Sequence, residues 1–250
     1  MNILILFNED RSYLKRLKYA RLRMDDVFCD VIIVPYSHTE IENMRERKFN
    51  ALYKRIYADC RYSCLFPNLP ARLKKRFEED GVNIAGGYSV NIKYIKEIIM
   101  KIGSYHSVIG IYSEKITPET RAVIYSLSEI TNILYLFTHD IQNALDISEE
   151  IFEQSGTPVN VSPDILKIRN MNIAVAMDSI DFQLKRNTQL VDIFDKNSAG
   201  ISGLYFSVPE KYREIQSLCG ACIDSAYAEF LERLGADFSE IRISGIRSDL

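Results

Sequence analysis

Ionisable and hydroxyl side chains gather at five places, each just after a short apolar run: Asn8, Glu9 and Asp10; Tyr112, Ser113 and Glu114; His139 and Asp140; Asp164; and Asp178 with Asp181. Several carboxylates on one rim could hold a divalent cation through oxygen ligands. His139 beside Asp140 could form an acid–base pair, because imidazole titrates near neutrality. The competing reading is structural, since turns between strands and helices recruit Ser, Thr, Asp and Asn as caps. The chain has 3 histidines and no G-x-S-x-G nucleophile turn. Capping is therefore favoured, and no catalytic residue and no metal are assigned. Glu9, Asp10, Tyr112, Ser113, Glu114, His139, Asp140 and Asp178 stand as candidates for lining a ligand cleft.

The cysteines offer a second chemistry. Cys219 and Cys222, with Cys60 and Cys64 upstream, could supply four thiolates to zinc or an iron–sulfur cluster. Yet Ile215, Leu218, Cys219, Cys222, Ile223, Ala226 and Phe230 recur at helical spacing, and Cys60 extends a Leu52–Ile56 stripe. These thiols are expected in the core. Five cysteines form no framework spacing, which favours reduced thiols and a cytoplasmic location.

The elements that must carry these residues follow from apolar runs. NILILF (2–7) and VIIVPY (31–36) are continuous rather than alternating, the mark of strands covered on both faces of a parallel sheet. The basic stretch from Arg11 to about Met24 reads as helical. A long helix is expected from Glu40 to Tyr62, broken by Pro67 and Pro70, and a shorter one ends at Gly81 in a left-handed cap. A strand at 82–87 and a helix over 90–102 follow. From 107 the pattern is regular: strand 107–113, helix from Thr117-Pro118, strand 132–137, helix to Gly156, strand 157–162, a short turn of helix, and strand 172–177. Ile141, Ala144, Leu145, Ile151 and Phe152 are expected inward on the second of these helices. A strand at 203–208 precedes a long helix from Pro209 to Gly235, and the tail offers a further strand.

The segment 107–208 resembles the Rossmann domain of shikimate/quinate dehydrogenases and glutamyl-tRNA reductases. Arg121-Ala-Val-Ile-Tyr-Ser-Leu-Ser-Glu129 is similar to the helix that follows their V-x-G-x-G-x-x-G loop, and Asp140 takes the place of their ribose-binding residue. The resemblance implies an α/β fold: a mostly parallel Rossmann-like sheet flanked by helices, preceded by a smaller α/β portion. Gly110 is present, but Ile111 to Pro118 stands where the other glycines belong. Those glycines let the backbone approach a pyrophosphate. Glu114 would also oppose two phosphates, a repulsion of about 4 kcal/mol at ~4 Å in a partly shielded site. No cofactor is therefore predicted, and the loop argues against NAD(P).

Composition sets the remaining bounds. The 250 residues form one large α/β domain or two smaller ones, and a division into 1–103 and 104–250 is expected. With 31 basic and 34 acidic residues, nucleic acid and membrane are not expected partners. No apolar run approaches the roughly 20 residues of a membrane span. Lys15 to Arg23 and Arg72 to Arg76 are basic, and both read as solvated faces. The favoured function is a non-catalytic cytoplasmic binding or regulatory protein with a small-molecule or protein ligand. The alternatives are an enzyme on a small polar substrate and a homodimeric assembly component joined through its last helix.

Overall fold

The computed structural model describes residues 2–8, 15–24, 27–103, 107–194, 196–197, 200–219, 222–237, 239 and 241–249. The chain divides into two compact units, Met1–Gly87 with Phe206–Ile243, and Tyr88–Tyr205 with Ser244–Leu250.

The first unit is built on β1 (Asn2–Phe7), β2 (Lys18–Met24), β3 (Val27–Val34), β4 (Cys64–Leu65) and β5 (Asn83–Ile84), in the order β2-β3-β1-β4-β5. All neighbours are parallel except β2, which runs antiparallel to β3. Ile3, Leu4 and Ile5 are all buried, as a strand covered on both faces requires. One face meets α1 (His38–Glu42), α2 (Glu46–Cys60) and α3 (Ala71–Glu79) through Ile41, Phe49, Ile56, Leu73 and Phe77. The helix expected from Glu40 to Tyr62 is thus two helices. A capping box at Ser37 and Glu40 starts α1, and Asn43 closes it by donating to Thr39 and Ile41 carbonyls. The basic stretch to Met24 is corrected as well. Lys18 to Met24 pair residue by residue with β3, and Arg21 Nε donates to Asp30 at 2.7 Å. Residues 11–14 lie outside the described residues.

The helix expected from Pro209 to Gly235 is likewise broken. It becomes a 3₁₀ turn at Glu210–Tyr212, α8 (Glu214–Cys219) and α9 (Ser225–Leu234). Asp224 starts α9 by accepting the Ala226 and Tyr227 amides at 3.1 Å. Phe66 packs edge-on to Tyr227 and Phe230 of this helix. Cys222 therefore leaves the predicted stripe and is exposed, whereas Cys29, Cys60 and Cys64 are buried free thiols. Burial pushes the Cys29 and Cys60 thiols up to about 12. The Cys219 side chain lies outside the described residues.

The second unit carries α4 (Tyr88–Lys93), α5 (Ile95–Ile102), β6 (Ile109–Tyr112), α6 (Pro118–Ser128), β7 (Leu134–Phe137), α7 (Ile141–Ser155), β8 (Val159–Ser162), a 3₁₀ turn at Ile165–Asn170, β9 (Ile173–Ala176), β10 (Gln189–Asp192), β11 (Gly200–Ser207) and β12 (Arg242–Asp249). The sheet order is β12-β11-β10-β9-β6-β7-β8, with β6 to β11 mutually parallel. Thr117 caps α6 with Pro118 in its first turn, and Gly156 at φ 73° ends α7, both as expected. On α7, Ala144, Ile147 and Ile151 are buried, while Leu145 and Phe152 are exposed, so the buried stripe is narrower than expected.

The register puts Gly110, Tyr135, Ala174 and Leu190 on one sheet face. That face is covered by the 3₁₀ turn and by an extended segment bearing Ile180, Phe182 and Leu184, with no helix between β9 and β10. A cavity of about 940 Å³ lies along it, with Phe182, Leu184, Leu190, Lys196 and Asn197 in its walls. Gly110 is required here by packing: a Cβ would sit 2.6 Å from Met171 Cγ and 2.9 Å from Phe137 Cε2.

Candidate functional site

In a parallel sheet the ends of strands that share a direction share an edge, so Ser113, Thr138 and Asp178 emerge together after β6, β7 and β9. Chain order reverses between β6 and β9, which opens a crevice at that edge. Ser113 is 1% exposed, and its hydroxyl donates to the Lys115 carbonyl at 2.7 Å beside Thr120 Oγ1 at 3.0 Å. The Glu114 N–H donates to Asp178 Oδ2 at 2.9 Å. Lys196 Nζ donates to Asp178 Oδ1 at 2.6 Å and to the Met177 carbonyl at 3.0 Å. One turn further on, the Ile116 N–H donates to Asp140 Oδ2 at 3.1 Å. The loop between β6 and α6 thus directs two amides at two carboxylates, one from each flanking strand end.

Electrostatics follow from these bonds. The Asn143 side-chain amide, and next the Ile116 N–H, hold the Asp140 carboxyl below the usual carboxylate range. Burial, then the nearby Glu114, Asp178 and Asp181 carboxylates, push the Tyr112 phenol up. Tyr112 closes β6 and is buried in the apolar cluster on the cavity side of the sheet.

Of the predicted site residues, Ser113, Glu114, Asp140 and Asp178 meet in this network, with Tyr112 directly beneath. His139 is exposed, and the Asp140 carboxylate bonds Asn143 and Ile116 instead of the imidazole. Asp164 is exposed and pairs only loosely with Lys167 at 3.6 Å. Asp181 lines the cavity. Glu9 and Asp10 lie outside the described residues. Among the described residues no group of three or more His, Cys, Asp or Glu is arranged to hold a metal ion.

Sequence reasoning missed Lys196 and Asp192, which fall where the apolar pattern weakens. Asp192 is 2% exposed at the end of β10. Its Oδ2 accepts the Asn197 N–H, while Oδ1, Asn197 Nδ2 and the Ser202 hydroxyl are buried without protein partners. A charged residue in the middle of the otherwise apolar LVDIF run was the one available signal.

The order β8-β7-β6-β9-β10-β11, read as 3-2-1-4-5-6, defines a Rossmann-like fold. No protein-family model and no curated protein matches the chain. Solved structures similar to it include quinate dehydrogenase from Corynebacterium glutamicum in complex with NAD, at 13% identity and a TM-score of 0.37, covering 63% of this chain and 58% of that one. Others are L-tryptophan dehydrogenase from Nostoc punctiforme (8%, TM-score 0.31, covering 82% and 76%) and ligand-free 5-ketofructose reductase from a Gluconobacter species (10%, TM-score 0.35, covering 93% and 98%). The chain spans less than two thirds of the quinate dehydrogenase.

The expectation that no cofactor binds and that NAD(P) is disfavoured is corrected. The similar structures include dehydrogenases, one of them in complex with NAD. The physical error lay in the treatment of Glu114. Its side chain is exposed, where solvent and salt screen a like-charge repulsion, and its backbone N–H is a donor to anionic oxygen. Among the described residues no helix is long and apolar enough to cross a membrane.

Proposed function

We propose that the chain is a Rossmann-type binding protein that takes a nucleotide at the carboxyl edge of its second sheet, and that it binds this ligand without transforming it. The observation that carries this reading is the convergence of the Glu114 and Ile116 amides on anionic oxygens at the point where chain order reverses. Backbone amides at the start of a helix are suited to phosphate, and this loop opens α6. Phosphate oxygens replace the Asp178 and Asp140 carboxylates on these amides, and Lys196, released from Asp178, supplies a cation to them. The cavity of about 940 Å³ shares Lys196 with this network, and its size suits the organic part of a nucleotide. Binding without turnover is favoured because His139 and Asp140 form no proton-transfer pair.

The exchange carries a cost. A hydrogen bond to a charged group contributes about 1.5–3 kcal/mol, so displacing two carboxylates weakens nucleotide binding substantially. Calorimetric titration with NAD⁺, NADH, NADP⁺ and ATP tests this. Wild-type protein should bind at least one of them, and Asp178→Asn, which removes the competing charge but keeps an acceptor, should bind it at least several-fold more tightly. The reading fails if neither protein binds any of the four, or if Asp178→Asn leaves the affinity unchanged. Steady turnover of a nicotinamide ligand with a small hydroxy or amino acid would overturn the non-catalytic part alone.

A further inference from the structure

The first unit holds an open cavity of about 430 Å³ at the opposite kind of edge. Asn2 opens β1, Cys64 opens β4 and Asn83 opens β5, so the amino ends of three parallel strands form its floor. Arg61 follows α2, and Arg233 comes from the last turn of α9. Among the described residues its lining contains these two guanidinium groups and no carboxylate.

The two arginines differ in what they already hold. Arg233 Nη2 donates to Glu229 Oε1 at 2.6 Å, and Glu229, 4% exposed, also accepts the Gly87 N–H at 2.6 Å. Arg233 also bonds the Cys64 thiol, yet a guanidinium has five N–H donors and these bonds leave others for a ligand. Arg61 pairs with no carboxylate among the described residues: its guanidinium lies 4.7 Å over the ring of Tyr62, which is 83% exposed. A helix C-terminus draws a cation, which would account for a basic residue after α2. The same holds for Arg233 in the last turn of α9, but it does not account for the meeting of the two arginines in one cavity.

We infer that this cavity binds a small oxyanion, a carboxylate or phosphate carried on a compact organic molecule, between Arg61 and Arg233. The planar fork of a guanidinium matches both anions, and Arg61 stacked on Tyr62 is already oriented for it. At about 430 Å³ the space exceeds a bare anion and fits a molecule of metabolite size. The site belongs to the first unit alone and does not rest on the nucleotide reading of the second.

Phenylglyoxal modification of the whole chain, followed by peptide mass analysis, tests it. Inorganic phosphate and succinate are compared with chloride at equal ionic strength, and exposed Arg47 serves as an internal control. Phosphate, succinate or both should slow modification of Arg61 several-fold without affecting Arg47, and which of them protects identifies the anion. The same salt should raise the melting temperature, and Arg61→Gln, an exposed substitution, should remove part or all of that rise. Equal Arg61 rates in all three salts overturn the inference, as does a melting shift left whole in Arg61→Gln.

Discussion

Asp178 Oδ2 lies 2.9 Å from the backbone nitrogen of Glu114, a bond between residues 64 apart that ties the end of β9 to the loop after β6. The same carboxylate anchors Lys196. Asp178→Ala leaves a loop amide and an ammonium without this partner, and should cost about 1–3 kcal/mol in urea unfolding. Asp178→Asn keeps an acceptor and should lose less. Equal stability of wild type and Asp178→Ala would show that the loop is held by other contacts.

Asp140 gives this edge a pH dependence. Its carboxyl is held below the usual range in the folded protein, first by Asn143 and then by the Ile116 amide. The stabilisation is therefore present above the unfolded carboxyl value and is lost as pH falls through the folded one. Melting temperatures of wild type and Asp140→Ala should differ at pH 6 and converge as the pH approaches 3. A difference constant with pH would remove the carboxylate as the cause.

Glu229 is the most consequential carboxylate of the first unit. It is 4% exposed and shared between the Arg233 guanidinium and the Gly87 amide. Glu229→Ala leaves the buried Gly87 amide without its acceptor and a partly exposed guanidinium without its carboxylate, and should cost about 1–3 kcal/mol. Denaturant unfolding of the full chain reads this directly, and a loss below about 1 kcal/mol would contradict the pairing.

Two left-handed glycines should respond differently to alanine. At Gly87, φ is 81° and a Cβ would fall 2.7 Å from the Ala226 nitrogen, so strain and collision add to about 2–4 kcal/mol. At Gly156, φ is 73° but nothing lies within 4 Å, so only the backbone cost of about 1–2 kcal/mol remains. Melting curves of Gly87→Ala and Gly156→Ala should preserve that order.

The alternation from β6 to β9 was legible because each element carries its own local signal. Continuous apolar runs mark the strands, Thr117-Pro118 opens α6 and Gly156 closes α7. Ser113, Glu114, Asp140 and Asp178 were legible as strand-end residues, but the turn of the two carboxylates toward the loop amides has no local sequence signal. Elements held by pairing rather than by local pattern escaped notice. β4 is two residues long, and β10 is four residues, two of them polar, whereas β5 falls within the strand expected at 82–87. β2 was mistaken for a helix because its exposed, basic residues carry no buried stripe and its partner is contributed by β3. Cys222 was mistaken for core because a helical stripe was extended across the start of α9, where Asp224 begins a new helix.

The antiparallel β2 has a bearing on how these molecules behave when crowded. An open strand edge invites another chain to add to it, and β2 meets that hazard with Lys18, Arg21 and Arg23 along one outer strand. The opposite border, β5, is only two residues long and offers little to template on. Both margins of the sheet thus discourage sheet-to-sheet fibre growth, one through charged side chains and the other through its shortness.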